Sequence, residues 1–394
     1  MSGGVIQSRK HQSSAFSSPL IPNVAVAFDS SKVRNVLQSR LSADAGPRPK
    51  MVKPLTLPAP SDYAVLKRRI KEAGLLDKQP WYYAMSITAN ISVFVLCLGL
   101  LLTLRNPWLQ ATDAVALGIV FGQLGFQVHD AGHQQMFGKS WKNNLVGFLT
   151  GTMLMGMSYS WWVDKHNRHH GSPNHLEEDP DVNNLAIAYT EEQALSRHGL
   201  LRFLAAYQAF AFFPLTSLLG FSMYVSGFLF LIKNPSRKHY IEIVVLIAHL
   251  IAYIGLLVFF LGPWSALLVV LVHKAAAGFY MASVFAPNHK GMPQMEGKQR
   301  IDYLRAQVLT ARNVKAGAAT DIWYGSLNYQ IEHHLFPAMP RNRVREAHKI
   351  VRDFCAEVGV DYYETSMVQS YREILSFLHE VGRPLRARRS AQLG

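Results

Sequence analysis

Residues 84–104 read AMSITANISVFVLCLGLLLTL, a run without a single charge. A helix needs roughly 20 apolar residues to cross the hydrocarbon core of a bilayer, so this run predicts a membrane span. The connection RNPW follows, and a second apolar run covers 109–128. Lipid offers no water to backbone N–H and C=O groups, so both runs must be helical. Their short link makes them a hairpin. A second hairpin repeats the plan, with an apolar run at 241–261, the neutral turn GPWS and a further run at 266–285.

Charge sets the expected orientation. Lys67, Arg68, Arg69, Lys71 and Lys78 precede the first hairpin; Lys233, Arg237 and Lys238 precede the second, and Lys290, Lys298 and Arg300 follow it. By the positive-inside rule these ends, and the N terminus, are expected on the cytosolic face. The apolar stretch 201–232 is broken by Pro214 and Gly220 and is flanked by Arg197 and Arg202 on one side and Lys233 on the other. Basic flanks at both ends predict an interfacial or re-entrant helical pair. The run 145–162, rich in Gly, Met and Trp, takes the same reading. The expected fold is all-α integral membrane, with four transmembrane helices in two hairpins, interfacial helices, and a cytosolic helical cap built from 129–200 and 287–394.

The whole chain has 394 residues, 49% of them hydrophobic, and a formal net charge of +14. Two cysteines, Cys97 and Cys355, exclude a disulfide framework or a thiolate metal cluster. Any metal must therefore be held by nitrogen and oxygen. The first sixty residues carry eight Lys/Arg against two acids, and 1–60 is expected to be a disordered basic tail. The main domain is expected over 61–380, with a basic C-terminal tail at 381–394. No nucleic-acid partner is expected; the apolar content points to membrane lipids.

Seven of the sixteen histidines fall in three tight groups. HDAGH places His129 and His133 at i and i+4. HNRHH places His166, His169 and His170 at i, i+3 and i+4. QIEHH repeats that spacing with Gln330 first, then His333 and His334. Each spacing puts its members on one helix face, and the expected topology brings all three to one side of the membrane. Converging imidazoles would repel one another if protonated, and neutral imidazole is a common metal ligand. Seven ligands exceed what one tetrahedral zinc takes, so a dinuclear site is the leading inference. His289, in FAPNHKG directly after the last span, is a candidate eighth ligand. Asp130, Asp164, Asp179, Asp181, Asp321 and Glu332 are candidates for orienting the imidazoles. His175 lies in an acidic loop near the second group, while His198, His348 and His379 read as ordinary surface residues. His249, His273 and Lys274 lie inside predicted spans, where an ionisable side chain is functional by default.

HDAGH, HNRHH and QIEHHLFP, in this order and separation, resemble the membrane fatty acid desaturases. The glutamine of the third group resembles the front-end or linoleoyl-CoA desaturase branch. The similarity runs from about Tyr83 to Tyr363 and includes NHLEEDPD and FAPNHKGM. The resemblance implies a four-helix bundle under a cytosolic cap, two irons held by the histidine groups, and O2 as the oxidant that removes two hydrogens from an acyl chain. Gln330 is implied either as a weak oxygen ligand or as a residue that borders the metal. Many front-end members carry a fused cytochrome b5 domain, and its His-Pro-Gly-Gly motif does not occur here. Electrons are therefore expected from a separate ferredoxin or cytochrome b5 type donor with its reductase. The substrate is expected to be a fatty acyl-CoA or a membrane acyl-lipid. The alternatives are a related di-iron hydroxylase acting on an alkane, sterol or carotenoid, and a histidine-bound zinc receptor or hydrolase. The expected location is a bacterial plasma membrane, with endoplasmic reticulum or plastid membranes as alternatives.

Overall fold

The computed structural model describes residues 61–297 and 301–393. The expected N-terminal tail lies outside the described residues. Among the described residues, four helices are long and apolar enough to cross a membrane. They are α2 (Pro80–Thr103), α3 (Pro107–Gly132), α10 (Arg237–Leu261) and α11 (Pro263–His289). Asn106 caps α3 by accepting from the Trp108 and Leu109 N–H groups, and Pro107 and Pro263 supply first-turn prolines. Gly262 takes φ +77° to make the tight second turn.

The inner pair is α3 and α11. About half of each apolar window is buried, against 11% for α2 and α10, whose Leu96, Val244, Ile251 and Phe259 are exposed to lipid. Small residues let the inner helices touch backbone to backbone. A Cβ added at Gly118 would lie 2.7 Å from Ala276 Cβ and 2.9 Å from Ala277 N.

Around this pair lie shorter elements. Helix α1 (Ser61–Glu72) packs Leu66 and Ile70 onto the apolar stripe Val344, Val351 and Phe354 of α15 (Val344–Glu357). Helix α4 (Ser140–Gly147) runs into a π-helical segment (Phe148–Leu154), after which α5 (Tyr159–Gly171) begins. Glu242 of α10 is fully buried and ties these parts together. Its Oε1 accepts from the Thr152 hydroxyl at 3.1 Å, the Ser158 hydroxyl at 2.8 Å and the Ser160 N–H at 3.1 Å. The start of α5 is thereby fixed against the membrane helices.

Helices α6 (Glu191–Leu195), α7 (Gly199–Ala206), α8 (Gln208–Ser217) and α9 (Leu219–Lys233) follow. The sequence suggests breaks at Pro214 and Gly220; the structure instead bends α7 against α8 by 113° at Tyr207 and breaks again at Leu218, with Pro214 inside α8. Long-range hydrogen bonds explain the first bend. Gln208 accepts from Ala188 N at 2.9 Å and donates to Ala188 O at 2.9 Å and Leu378 O at 3.2 Å. The cap is completed by α12 (Tyr303–Leu309), α13 (Ala318–Trp323), α14 (Gln330–Leu335) and α16 (Met367–Leu393). Strand β1 (Asn313–Val314) pairs in parallel with β2 (Glu364–Thr365). The fold is an all-α membrane protein, as the apolar runs imply.

Candidate metal centre

The ends of α3, α5, α11 and α14 meet beneath the cap. Helix α3 delivers His129 and His133, α5 delivers His166, His169 and His170, α11 ends on His289, and α14 carries His333 and His334. His129, His133, His166 and His333 form one group whose ligand atoms all lie within 4.8 Å of one another; His169, His289 and His334 form a second. His170 stands between them. Its Nε2 lies 3.2 Å from His166 Nε2 and 3.1 Å from His333 Nε2, and its ring stacks on His334 at 4.1 Å.

Hydrogen bonds at the far nitrogens determine which way the protons point. Nδ1 of His129 donates to Asp130 Oδ1 at 3.0 Å, and Asp130 is itself clamped by Arg341, whose Nε donates to Oδ2 at 2.8 Å. Nδ1 of His169 donates to Asp179 at 2.9 Å, Nδ1 of His289 to the Thr310 carbonyl at 3.0 Å, and Nδ1 of His334 to Gln307 Oε1 at 2.8 Å. The Gln307 amide is oriented by donating its N–H to His170 O at 3.0 Å. With Nδ1 protonated, each Nε2 presents a bare lone pair inward.

These lone pairs face each other. His289 Nε2 lies 3.0 Å from His334 Nε2 and 3.3 Å from His169 Nε2. Three unprotonated nitrogens that converge without a shared proton repel, and a cation between them reverses the sign. His133 Nε2 is also buried without a hydrogen-bond partner. The donor set fits metal ions. Burial, then the neighbouring imidazoles, hold His133, His166, His170, His333 and His334 well below the ordinary imidazole pKa.

This has a measurable consequence for the metal-free protein. A histidine whose folded pKa is depressed stabilises the fold above its unfolded pKa of about 6.5 and loses that contribution as pH falls below it. The melting temperature of metal-stripped protein in detergent is therefore expected to drop as pH falls from about 7.5 to about 5.5, where unfolding takes up several protons. A melting temperature that stays level over that interval would mean that the imidazoles take up protons in the fold as readily as in the unfolded chain.

Gln330 reaches the same cluster. Its Oε1 accepts from Asn288 Nδ2 at 2.9 Å, and its Nε2 lies 2.9 Å from His289 Nε2. Asn288 Nδ2 also donates to Leu327 O at 3.1 Å, which fixes the orientation of both amides. The Gln330 oxygen is thus turned away from the histidines.

Other candidates from the sequence lie elsewhere. His175 Nε2 hydrogen-bonds Gly297 O at 3.0 Å, and its Nδ1 pairs with Glu177. His198 is exposed. His348, expected at the surface without a partner, is mostly buried: Tyr362 Oη lies 2.8 Å from its Nδ1, and Glu364 is 3.3 Å from its Nε2. Among the acids, Asp130 and Asp179 orient imidazoles. Asp181 is 3.7 Å from His169 and pairs with Lys165. Asp164 pairs with Arg168, Asp321 accepts from Asn328, and Glu332 accepts from Asn313 and Tyr362. Gln307 and Thr310 carry no sequence signal, because a lone glutamine and a backbone carbonyl have no motif. Arg341 and Lys290 are both engaged inside the protein, Arg341 on Asp130 and Lys290 on the Asp181 carbonyl at 2.9 Å.

An apolar cavity lies beside the first histidine group, lined by Gly122, Gly125 and Phe126 of α3, Trp162 of α5, Met281 and Phe285 of α11, and Met157 and Tyr280. Trp162 stacks on His166 with ring centroids 4.5 Å apart, so the cavity ends against the metal ligand candidates.

A buried two-group histidine cluster, carried by the membrane helices α3 and α11 and the shorter α5 and α14, defines a membrane protein with a candidate metal centre. The family model for fatty acid desaturases matches residues 106–366. Similar proteins include an acyl-lipid (9-3)-desaturase of Physcomitrium patens, 27% identical over 81% of this chain and 62% of its own length. The Delta(5) fatty acid desaturase fat-4 of Caenorhabditis elegans is 29% identical over 78% of this chain and 69% of its own length. A Delta(8)-fatty-acid desaturase of Euglena gracilis is 30% identical over 77% and 74%. This chain belongs to the fatty acid desaturase family, on its front-end branch.

Proposed function

We propose that the chain is an O2-dependent di-iron fatty acyl desaturase, reduced by a separate electron-transfer protein of the ferredoxin or cytochrome b5 type. The supporting observation is the convergence of bare imidazole nitrogens beside an apolar cavity. His129, His133, His166, His170 and His333 would hold one metal, and His169, His289 and His334 the other, with Gln330 bordering His289 through its amide nitrogen. When bound, the two irons supply the oxidising power that side-chain acids and bases lack toward an unactivated acyl segment. Balance requires O2, two electrons and two protons in addition to the two substrate hydrogens, and it releases two waters.

The protein's own contribution is position and dryness. Trp162 stacks on His166 and forms an apolar wall, so the approach to the histidine cluster is lined by apolar side chains. Gly125 leaves that wall open, since a Cβ there meets only Met155 Cε at 3.9 Å. The acyl group is drawn from a CoA ester or a lipid at the cytosolic face, a side for the cluster that the basic flanks support.

Metal analysis of protein purified from iron-supplemented cells tests this reading. Two irons per chain are expected, together with a new double bond in the lipids of a host that makes only simple fatty acids. A single zinc per chain overturns the di-iron assignment, and a hydroxylated product moves the chain to the related hydroxylase chemistry.

A further inference from the structure

A cavity of about 260 Å3 opens at the surface where the start of α2 meets the start of α4, lined by Lys78, Lys139 and Lys142 together with Pro80, Met136 and Phe137. One water needs roughly 10–15 Å3 of such space, so the cavity admits a polar group of many atoms. Lys78 Nζ donates to Gln134 O at 2.7 Å and Ala338 O at 3.1 Å, Lys142 sits 5.7 Å from the Trp141 ring centroid, and no carboxylate pairs with any of the three lysines among the described residues. Three like charges around one hollow repel, and an anion held between them reverses the sign.

The hollow is built before any ligand arrives. Asn143 is fully buried; its Oδ1 accepts from the Met136 N–H at 3.1 Å and the Phe137 N–H at 3.2 Å, and its Nδ2 donates to Phe137 O at 2.8 Å and Lys139 O at 3.2 Å. These bonds fix the loop 136–139, which forms one wall. An ammonium has three donors; Lys78 spends two on carbonyls and keeps one for a ligand. Through those two it also joins the chain one residue after His133 to the chain four residues after His334.

The rim is apolar and faces lipid. Trp141 and Leu145 are exposed at i and i+4 on α4, and Trp81 and Met85 at i and i+4 in the first turns of α2. Such spacing puts each pair on one helix face, and exposed tryptophan beside lysine at the end of a span marks the headgroup layer of a bilayer.

We propose that this cavity binds the phosphate of an anionic phospholipid through Lys78, Lys139 and Lys142, with the acyl chains of that lipid left in the bilayer. Basic pockets at the ends of membrane helices recognise anionic headgroups in this way. The lipid-facing rim favours a lipid over a soluble phosphate ester. A zwitterionic headgroup carries its own ammonium, which the lysines repel. Binding here is independent of which acyl chain is desaturated.

Native mass spectrometry of the full chain in detergent, titrated with phosphatidylglycerol, tests the site. One lipid per chain is expected to bind, in preference to phosphatidylcholine. A lysine near an anionic lipid is worth roughly fivefold, so Lys139→Gln combined with Lys142→Gln is expected to weaken that lipid about 30-fold. Lys349→Gln combined with Arg352→Gln removes the same charge from the exposed face of α15 and is expected to leave binding unchanged. Equal weakening by the two pairs, or equal binding of the two lipids, reduces the effect to general charge attraction and overturns the proposal. Should the first pair fail to accumulate, Lys142→Gln alone carries the test, with about a fivefold loss expected and no loss overturning the proposal. Coenzyme A at the concentration of the lipid distinguishes the source of the phosphate. It is expected to leave the lipid in place; displacement of the lipid by coenzyme A would assign the lysines to a soluble phosphate ester and overturn the lipid site.

Discussion

His289→Ala is expected to abolish desaturation and to lower bound iron from two to about one per chain. His289 lies outside the three histidine motifs, yet its Nε2 is 3.3 Å from His169 and 3.0 Å from His334, and it closes the second group. Loss of a residue that merely orients a metal ligand costs about 10- to 100-fold. Removal of a ligand is expected to exceed about 100-fold for the same reason, since the remaining pair leaves that metal half held. His333→Ala, in the first group, should behave alike in activity. Metal content and product formation are read on the same preparation. A His289→Ala protein with two irons and full turnover would remove His289 from the metal shell.

Gly118→Leu is expected to cost both activity and metal without touching either group. At Gly118, α3 and α11 approach so closely that even a Cβ would sit 2.7 Å from Ala276 Cβ and 2.9 Å from backbone N of Ala277. Overpacking a tight contact costs about 1–3 kcal/mol, and here the obstacle is backbone that cannot rotate away. The helices must part. Because α3 ends in the HDAGH segment and α11 ends at His289, that separation pulls the two histidine groups apart. The expected result is a lower melting temperature and iron loss, with Gly118→Ala intermediate. Gly99→Leu is the control, since nothing lies within 4 Å of its added Cβ and the site faces lipid. Equal behaviour of Gly118→Leu and Gly99→Leu would mean that the α3–α11 contact does not position the site.

Much of this architecture is legible in one dimension. Apolar length marks the four long helices because the bilayer imposes a minimum span, and i, i+3, i+4 spacing marks the histidine faces because a helix repeats every 3.6 residues. Less visible are features that depend on distant partners. The bend at Tyr207 is held by Gln208 reaching Ala188 and Leu378, whereas the nearby Pro214, the stronger local signal, sits inside a helix. His348 looks isolated in sequence because its partners Tyr362 and Glu364 come from beyond its own helix.

The sequence by itself determined the membrane class, the hairpin plan and the family resemblance, and it marked eight histidines as candidate ligands, since each depends on residue type and local spacing alone. Only the tertiary structure decided how those histidines divide into two groups, that their Nε2 atoms point inward, and that Gln330 turns its oxygen to Asn288. It also decided that Lys274 is caged by rings from three other helices. The physical reason is that proton position and side-chain orientation are set by hydrogen-bond and packing partners, and here those partners are brought together by helix contacts across the chain rather than by sequence neighbours.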